Sequence, residues 1–256
     1  MVDLHCHILP GLDDGAKTLD DSLAMAEDAI ADGITHVVGT PHASSDYSFD
    51  YHCVRAACDE LSAKLGSRLT LATGCDFHVN LENLNAVRRD PHPFCINQKD
   101  YLLVEFNEFS IPPSMDQTLH ELQLAGLHPI VTHPERNVIL RTRPERLQTW
   151  IAHGSYVQIT AGSLTGVFGP VAQEVSWLWL AKGWVHFISS DAHNTDRRPL
   201  KLKFAFDEIA AQFGEERARA LLIENPRAAF EGRPLRYVPD VVSAEEPKRR
   251  KRFLFF

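Results

Sequence analysis

A single order of elements constrains this chain more than any other feature: a short apolar run, a polar cluster, then a helical stretch. It recurs seven times in 256 residues, with apolar runs at 2–4, 34–39, 69–74, 101–105, 129–133, 156–160 and 185–190. Continuous apolar strands such as Tyr101-Leu-Leu-Val-Glu105 are buried on both faces, as parallel sheets require. The stretches between them have helical periodicity. Leu19, Leu23, Ala26 and Ile30 share one face, Thr18 and Asp21 suggest a capping box, and Gly33 is a stop. Further helices are expected over 51–65, 116–125, 144–153, 170–182, 200–213 and 215–224. Residues 77–98, with Pro91 and Pro93, are expected to be an irregular excursion. Strands alternating with helices imply right-handed crossovers. A closed α/β barrel near the TIM type fits better than an open doubly wound sheet, because no GxGxxG or GxxxxGKS follows any strand.

Composition narrows the function classes. Net charge is -8, which argues against a broad nucleic-acid footprint. Five cysteines, an odd number with no CxxC pair, are expected to be reduced thiols in a cytoplasmic protein. No apolar run approaches the ~20 residues that span a bilayer. We expect no targeting segment, since Met1-Val2-Asp3-Leu4 enters a strand at once. Residues 1–240 are expected to form one barrel. Beyond them, 241–256 is a linker and a basic-aromatic tail, Lys248-Arg-Arg-Lys-Arg252 before Phe253-Leu-Phe-Phe256, expected to be mobile.

Active sites of such barrels lie at the C-terminal ends of the strands. Six of the seven expected strands deliver a metal-type ligand there: His5 and His7, His42, Asp76, Glu105, His133, and Asp191 with His193. Asp14, on the loop after the first strand, joins them. Imidazole with carboxylate suits divalent Mn, Fe, Co or Zn. Cys6 would point away from His5 and His7 in a continuing strand, so we assign it to packing. Structural metal sites are closed and cysteine-rich, unlike this distributed set. The remaining histidines, His36, His52, His78, His92, His120, His128, His153 and His186, are taken as surface or hydrogen-bonded core residues. Arg136 and Arg198 fall on the same rim. A guanidinium beside several cations suits an anionic substrate, and its planar fork matches phosphate oxygens. The plainer role for either arginine is an ion pair with a ligand carboxylate.

At these residues the sequence resembles the polymerase-and-histidinol-phosphatase (PHP) superfamily. Within it, the match is to the bacterial manganese-dependent protein tyrosine phosphatases of capsule and exopolysaccharide loci. The stretches that carry it are Asp3-Leu-His-Cys-His7, Leu12-Asp-Asp-Gly15, Thr40-Pro-His42, Val104-Glu-Phe106, Thr132-His-Pro-Glu-Arg136, Ser190-Asp-Ala-His193 with Arg198-Pro199, and Asn225-Pro-Arg227. The resemblance implies a distorted TIM-like (β/α)7 barrel holding three divalent ions, Mn before Fe, Co, Zn or Mg. One ion would be held by His5, His7, Asp76 and Asp191, a second by Asp76, Glu105 and His133, and a third by Asp14, His42 and His193. Arg136 and Arg198 would grip phosphate. The family usually carries a glutamate where Asp76 stands. Asp is one methylene shorter, so a bridging role brings the backbone closer to the metals.

The expected reaction is hydrolysis of protein phosphotyrosine. The resemblance points to the tyrosine-rich tail of a membrane tyrosine kinase as partner. The basic-aromatic tail itself has two readings, a solvated end with no role or a weak membrane-surface contact through 248–256. Coordination lowers the pKa of water to about 7, so in-line attack on phosphorus needs no separate strong base. No CxxxxxR loop is present to support a cysteine mechanism. Two rivals remain at this point: a phosphatase of a small phosphomonoester of the histidinol-phosphate type, and a non-catalytic module that docks phosphotyrosine. Chelation is expected to abolish phosphate release and Mn to restore it best. Full activity in protein shown by elemental analysis to be metal-free would contradict the ligand assignment.

Overall fold

The computed structural model describes residues 1–107 and 109–239. The tail assignment, 241–256, lies outside them. Nine strands occur among the described residues: β1 (Val2–Cys6), β2 (His36–Gly39), β3 (His42–Ala43), β4 (Thr70–Thr73), β5 (Asp76–His78), β6 (Tyr101–Glu105), β7 (His128–Thr132), β8 (Tyr156–Thr160) and β9 (Phe187–Ser189). All pair in parallel, in the orders β1-β2-β4 and β3-β5-β6-β7-β8-β9.

The two strands beyond the expected seven arise from breaks. Pro41 has no N–H, so the ladder of β2 cannot run through it and resumes as β3. β4 breaks opposite, at Gly74-Cys75, where a Cβ on Gly74 would lie 2.9 Å from Val38 Cγ1. Bonds across the breaks keep the pieces aligned: Thr40 N donates to Cys6 O (2.8 Å), Gly74 N to Gly39 O (3.0 Å) and Asp76 N to Pro41 O (3.1 Å). Each broken strand therefore fills one barrel position. The ring closes between β9 and β1, where Asp191 N donates to His5 O and His7 N to Ala192 O, both at 2.9 Å. Buried Asp3 braces this seam by accepting from Ser190 N at 3.1 Å. The fold is a distorted (β/α)7 barrel.

Side-chain alternation divides the core in two. Val2, Leu4, Val38, Leu103, Ile130 and Phe187 fill the barrel interior, whereas Leu102, Val104, Val131, Val157 and Ile159 face the helical layer. Burying a side chain of this size contributes about 1.5–3 kcal/mol. At the N-terminal end of the strands the interior is stoppered by Ala229 and Phe230, from the helix Asn225–Glu231. Asn225 fixes that helix by donating to His186 O and bonding Tyr237 in both directions. The Asn-Pro-Arg stretch thus sits at the end opposite the ligands and is architectural.

Three helical expectations are corrected. Residues 77–98 are not simply irregular: they contain β5 and a helix, Leu81–Arg89, capped by Asn80. The last helix does not stop at Glu224 but continues through a wide turn, Ala220–Glu224, to Glu231. The helix expected from Leu200 begins at Lys203. Among the described residues no helix is long and apolar enough to cross a membrane.

β1 contains one surplus residue. Asp3 pairs with Val37 and Cys6 with Gly39, so three steps on β1 oppose two on β2. Such a bulge re-aims the side chains that follow it. Leu4 stays inside, His5 and His7 are also brought to the interior rim, and Cys6 is turned into the outer packing layer. Cys6→Ser is accordingly expected to keep substantial activity and its full metal content. Loss of either in a folded variant, checked by phosphate release and elemental analysis, would place the thiol in the site.

Candidate metal centre

All nine ligand candidates meet at the C-terminal rim. Asp14, His42, Glu105, His133, Asp191 and His193 line an open cavity together with Arg136 and Arg198. His5, His7 and Asp76 form its fully buried floor. Two of these residues reach it through unusual backbone. Val131 faces the helices, so alternation would send His133 outward; its φ of 34° turns it in. Asp191, with φ 51°, is bent in the same way. Non-glycine residues in this region are strained and cluster at functional sites.

The spacing between donor atoms fits shared cations. Two ligands each about 2.1 Å from one ion lie roughly 3.0–3.4 Å apart at right or tetrahedral angles. His5 Nε2 is 3.5 Å from Asp76 and 3.5 Å from Asp191, and His7 Nε2 is 3.4 Å from Asp191. His42 Nδ1 is 3.1 Å from Asp76 and 3.3 Å from Glu105, and its Nε2 is 3.5 Å from Asp14. His193 Nε2 is 3.4 Å from Asp14, and His133 Nε2 is 3.6 Å from Glu105 and 4.0 Å from Asp76. The compact groups are His5-His7-Asp76, His5-His133-Asp191, His42-Asp76-Glu105 and His7-Asp14-His42-His193. Compared with the division that the family resemblance implies, the geometry adds His7 beside the third group and His42 beside the second.

The histidine tautomers give an independent test of fit. His5 Nδ1 meets Gln158 Oε1 at 3.0 Å, His7 Nδ1 meets Asp13 Oδ2 at 2.6 Å, and His193 Nδ1 meets Asp191 O at 3.0 Å. Each acceptor holds the neutral ring's proton on Nδ1 and turns the Nε2 lone pair inward. The Nε2 atoms of His5 and His7 then face each other at 3.3 Å, lone pair to lone pair. Neither oxygen of buried Asp76 accepts a hydrogen bond. Repulsive lone pairs and an orphaned buried carboxylate are the arrangement a cation relieves, so the residues fit divalent metal.

Where protons stand in for cations, they are held tightly. Burial opposes charge on His5, but Asp76 and Asp191 outweigh it and push its pKa up to about 9. His42 is raised against its burial by Asp14, Asp76 and Glu105. Despite burial, Arg136 and His5 hold the Asp191 carboxyl well below the usual range. Metal loading must displace such protons.

Several contributors were missed at the sequence level. Asp13 was passed over for its neighbour Asp14, yet it orients His7 and accepts from His42 N (3.1 Å) and Gly15 N (2.9 Å). Gly15 lets this loop press on the ligand strand: a Cβ there would lie 2.1 Å from His7 O. Gln158 carried no local signal, and Asp3, although it opens the Asp3-Leu-His-Cys-His7 stretch, was given no role. Glu135 accepts from Thr160 N and Ser163 Oγ, tying the His-Pro-Glu-Arg loop to the segment after β8. Half-buried Phe168 lies under both arginines, with Cζ of Arg136 4.6 Å and of Arg198 5.6 Å from the ring centroid. Both guanidiniums also converge on Asp191 Oδ2, at 2.7 and 2.6 Å. Among the histidines set aside, His78 lies at the site's edge, 3.6 Å from Glu105. His186 is buried in the core, where it accepts from Val157 N.

Comparison with known proteins gives the family. The family described as capsular polysaccharide synthesis, CpsB/CapC, matches residues 1–231. This chain belongs to that family. It is 34% identical over its whole length to the whole of the tyrosine-protein phosphatase YwqE of Bacillus subtilis. It is 35% identical to the putative tyrosine-protein phosphatase CapC of Staphylococcus aureus, with 81% of this chain and 83% of that protein aligned. A crystal structure from a study of B. subtilis YwqE and Streptococcus pneumoniae CpsB, described there as unique metal-dependent tyrosine phosphatases, superposes with a TM-score of 0.85 at 33% identity. That match covers 94% of this chain and 99% of the other.

In a family member built this way, the partner of His7 should matter nearly as much as the ligand. Asp13→Ala is expected to lower metal affinity about 10–100-fold while the barrel stays folded. Titrating metal-free protein with Mn checks this, and unchanged affinity would remove Asp13 from the centre.

Proposed function

We propose that this chain is a metal-dependent phosphomonoesterase that dephosphorylates protein phosphotyrosine. The observation that carries this reading is a pair of guanidiniums, both on Phe168 and both on Asp191, walling a cavity whose floor is a set of metal-type ligands. We assign it three divalent ions, Mn by preference: the first with His5, His7, Asp76 and Asp191, the second with Asp76, Glu105 and His133, the third with Asp14, His42 and His193. When bound, such ions supply Lewis acidity to phosphoryl oxygens and to water, whose pKa falls toward about 7.

The chain's own residues bind and orient. Arg136 and Arg198 present N–H donors to the phosphoryl oxygens, where charge grows in the transition state. Asp191 Oδ2 anchors both guanidiniums, and the Phe168 ring supports them. Among the described residues no lysine, tyrosine or cysteine lines the cavity, and its carboxylates and imidazoles are the groups assigned to the metals, which leaves water as the nucleophile of this reading. Phosphotyrosine suits a site without a dedicated acid, because its phenol leaves with a pKa of about 10, far below that of an alkyl alcohol. The substrate we infer is the tyrosine-rich tail of a membrane tyrosine kinase that regulates capsule or exopolysaccharide synthesis, met at the cytoplasmic face. The five basic residues of 248–252 would contribute ~1 kcal/mol each at an anionic surface.

Stripping and restoring Mn while following phosphate release from a phosphotyrosine peptide and from histidinol phosphate tests the proposal. Metal-dependent release is expected from the peptide in preference. Preference for histidinol phosphate would reassign the substrate, and phosphopeptide binding without release would make the chain a docking module. Arg136→Ala and Arg198→Ala are each expected to lose about 10²–10³ in rate while retaining metal. Normal kcat/KM in both would reject their role on phosphate.

A further inference from the structure

A second cavity lies behind the wall of the first. Its apolar lining comes from Val167, Phe168, Pro199 and Phe204, and its floor reaches Ser190, the residue before Asp191. Arg198 lines both cavities, and Phe168 lines the second while carrying both arginines of the first. The second pocket is therefore continuous with the phosphate-binding wall.

Its rim is cationic. Arg197 and Lys201 line it together with Arg198. Arg198 is committed to Asp191, and Lys201 lies 3.4 Å from Asp28. Exposed Arg197 makes no side-chain ion pair among the described residues; the neighbouring Asp196 accepts from its backbone N–H instead. Val167 stands 58% exposed at the opening, an apolar side chain that water solvates poorly. An apolar hollow with an uncompensated cation at its edge complements an apolar side chain that has a carboxylate beside it.

We propose that this pocket is a specificity subsite of the phosphatase, which receives an apolar side chain of the substrate polypeptide near the phosphotyrosine while Arg197 pairs with an adjacent acidic residue. The proposal rests on the phosphotyrosine reading above. An extended peptide advances ~6.6 Å over two residues. Because the two pockets share Arg198, a polypeptide whose phosphotyrosine reaches one side of this arginine has residues two or three positions away within reach of the other side. Filling the pocket also packs Phe168 from its free side, which ties peptide binding to the support of both guanidiniums.

The test compares Mn-loaded full-length protein on free phosphotyrosine and on short phosphotyrosine peptides. The peptides carry apolar-acidic, polar-neutral or polar-basic residues within three positions of the phosphotyrosine. The apolar-acidic peptide should be favoured over the polar-neutral one by about tenfold or more in kcat/KM, mainly through KM. Val167→Asp and Arg197→Glu, both at exposed positions, should each reduce the ratio of kcat/KM for that peptide to kcat/KM for free phosphotyrosine. Arg197→Glu should in addition shift preference toward basic neighbours, which a merely structural role would not do. Hydrolysis of free phosphotyrosine with no sequence preference, or with ratios unmoved by both variants, overturns the subsite and leaves the phosphatase reading standing. No metal-dependent hydrolysis of any of these compounds overturns that reading itself.

Discussion

Asp191 joins three things that could have been separate. Its backbone N–H closes the barrel onto His5 O, one carboxylate oxygen lies beside the Nε2 atoms of His5 and His7, and the other receives both guanidiniums. Closure of the sheet, the candidate ligand set and the pair of arginines therefore share one residue, held at a positive φ of 51°. A change in the β1–β9 seam would be felt at once in the metal floor and in the arginines. The Asp3 brace acts on the same seam. Burial pushes its carboxyl up to about 6, and the N–H groups of Ser190 and His5 compensate part of that.

Burying this many imidazoles and carboxylates is costly unless opposite charges meet them. An unpaired buried ion costs several kcal/mol even after relaxation. Part of the compensation comes from Arg136 and Arg198 on Asp191, and part from Asp13 on His7. Asp76 meets only imidazoles, at 3.1–4.0 Å, and accepts no well-aligned hydrogen bond, which leaves it the most dependent of the set on a cation. Its shorter side chain is served by the strand break at Gly74-Cys75, which starts β5 at Asp76 itself, on the barrel rim and in register with His42.

Phe168 connects the chemistry to the surface beyond it. A ring under two cations contributes about 0.5–2 kcal/mol per contact, depending on desolvation. Because the ring also forms one side of the neighbouring apolar pocket, occupation of that pocket and placement of the arginines are mechanically linked. Glu135 holds the two loops concerned together from within, by bonding Thr160 and Ser163.

That the nine candidate ligands would meet at one place was legible in the sequence because it depends on local facts: a residue type, its place at the end of an apolar run, and barrel geometry that sends all such ends to one rim. The same holds for Cys6 as a packing residue and for the arginines as rim residues. What only the tertiary structure decided involves partners distant in sequence or backbone that departs from its period. Gln158 meets His5 across 153 residues, and no spacing announces it. The surplus residue in β1 appears only when its register on β2 is known. His133 would face outward by alternation, and its inward turn depends on a dihedral angle that composition does not encode. Asn225-Pro-Arg227, part of the motif pattern that marks the family, lies at the far end of the barrel, because a sequence pattern records that residues matter but not which end of a strand they serve.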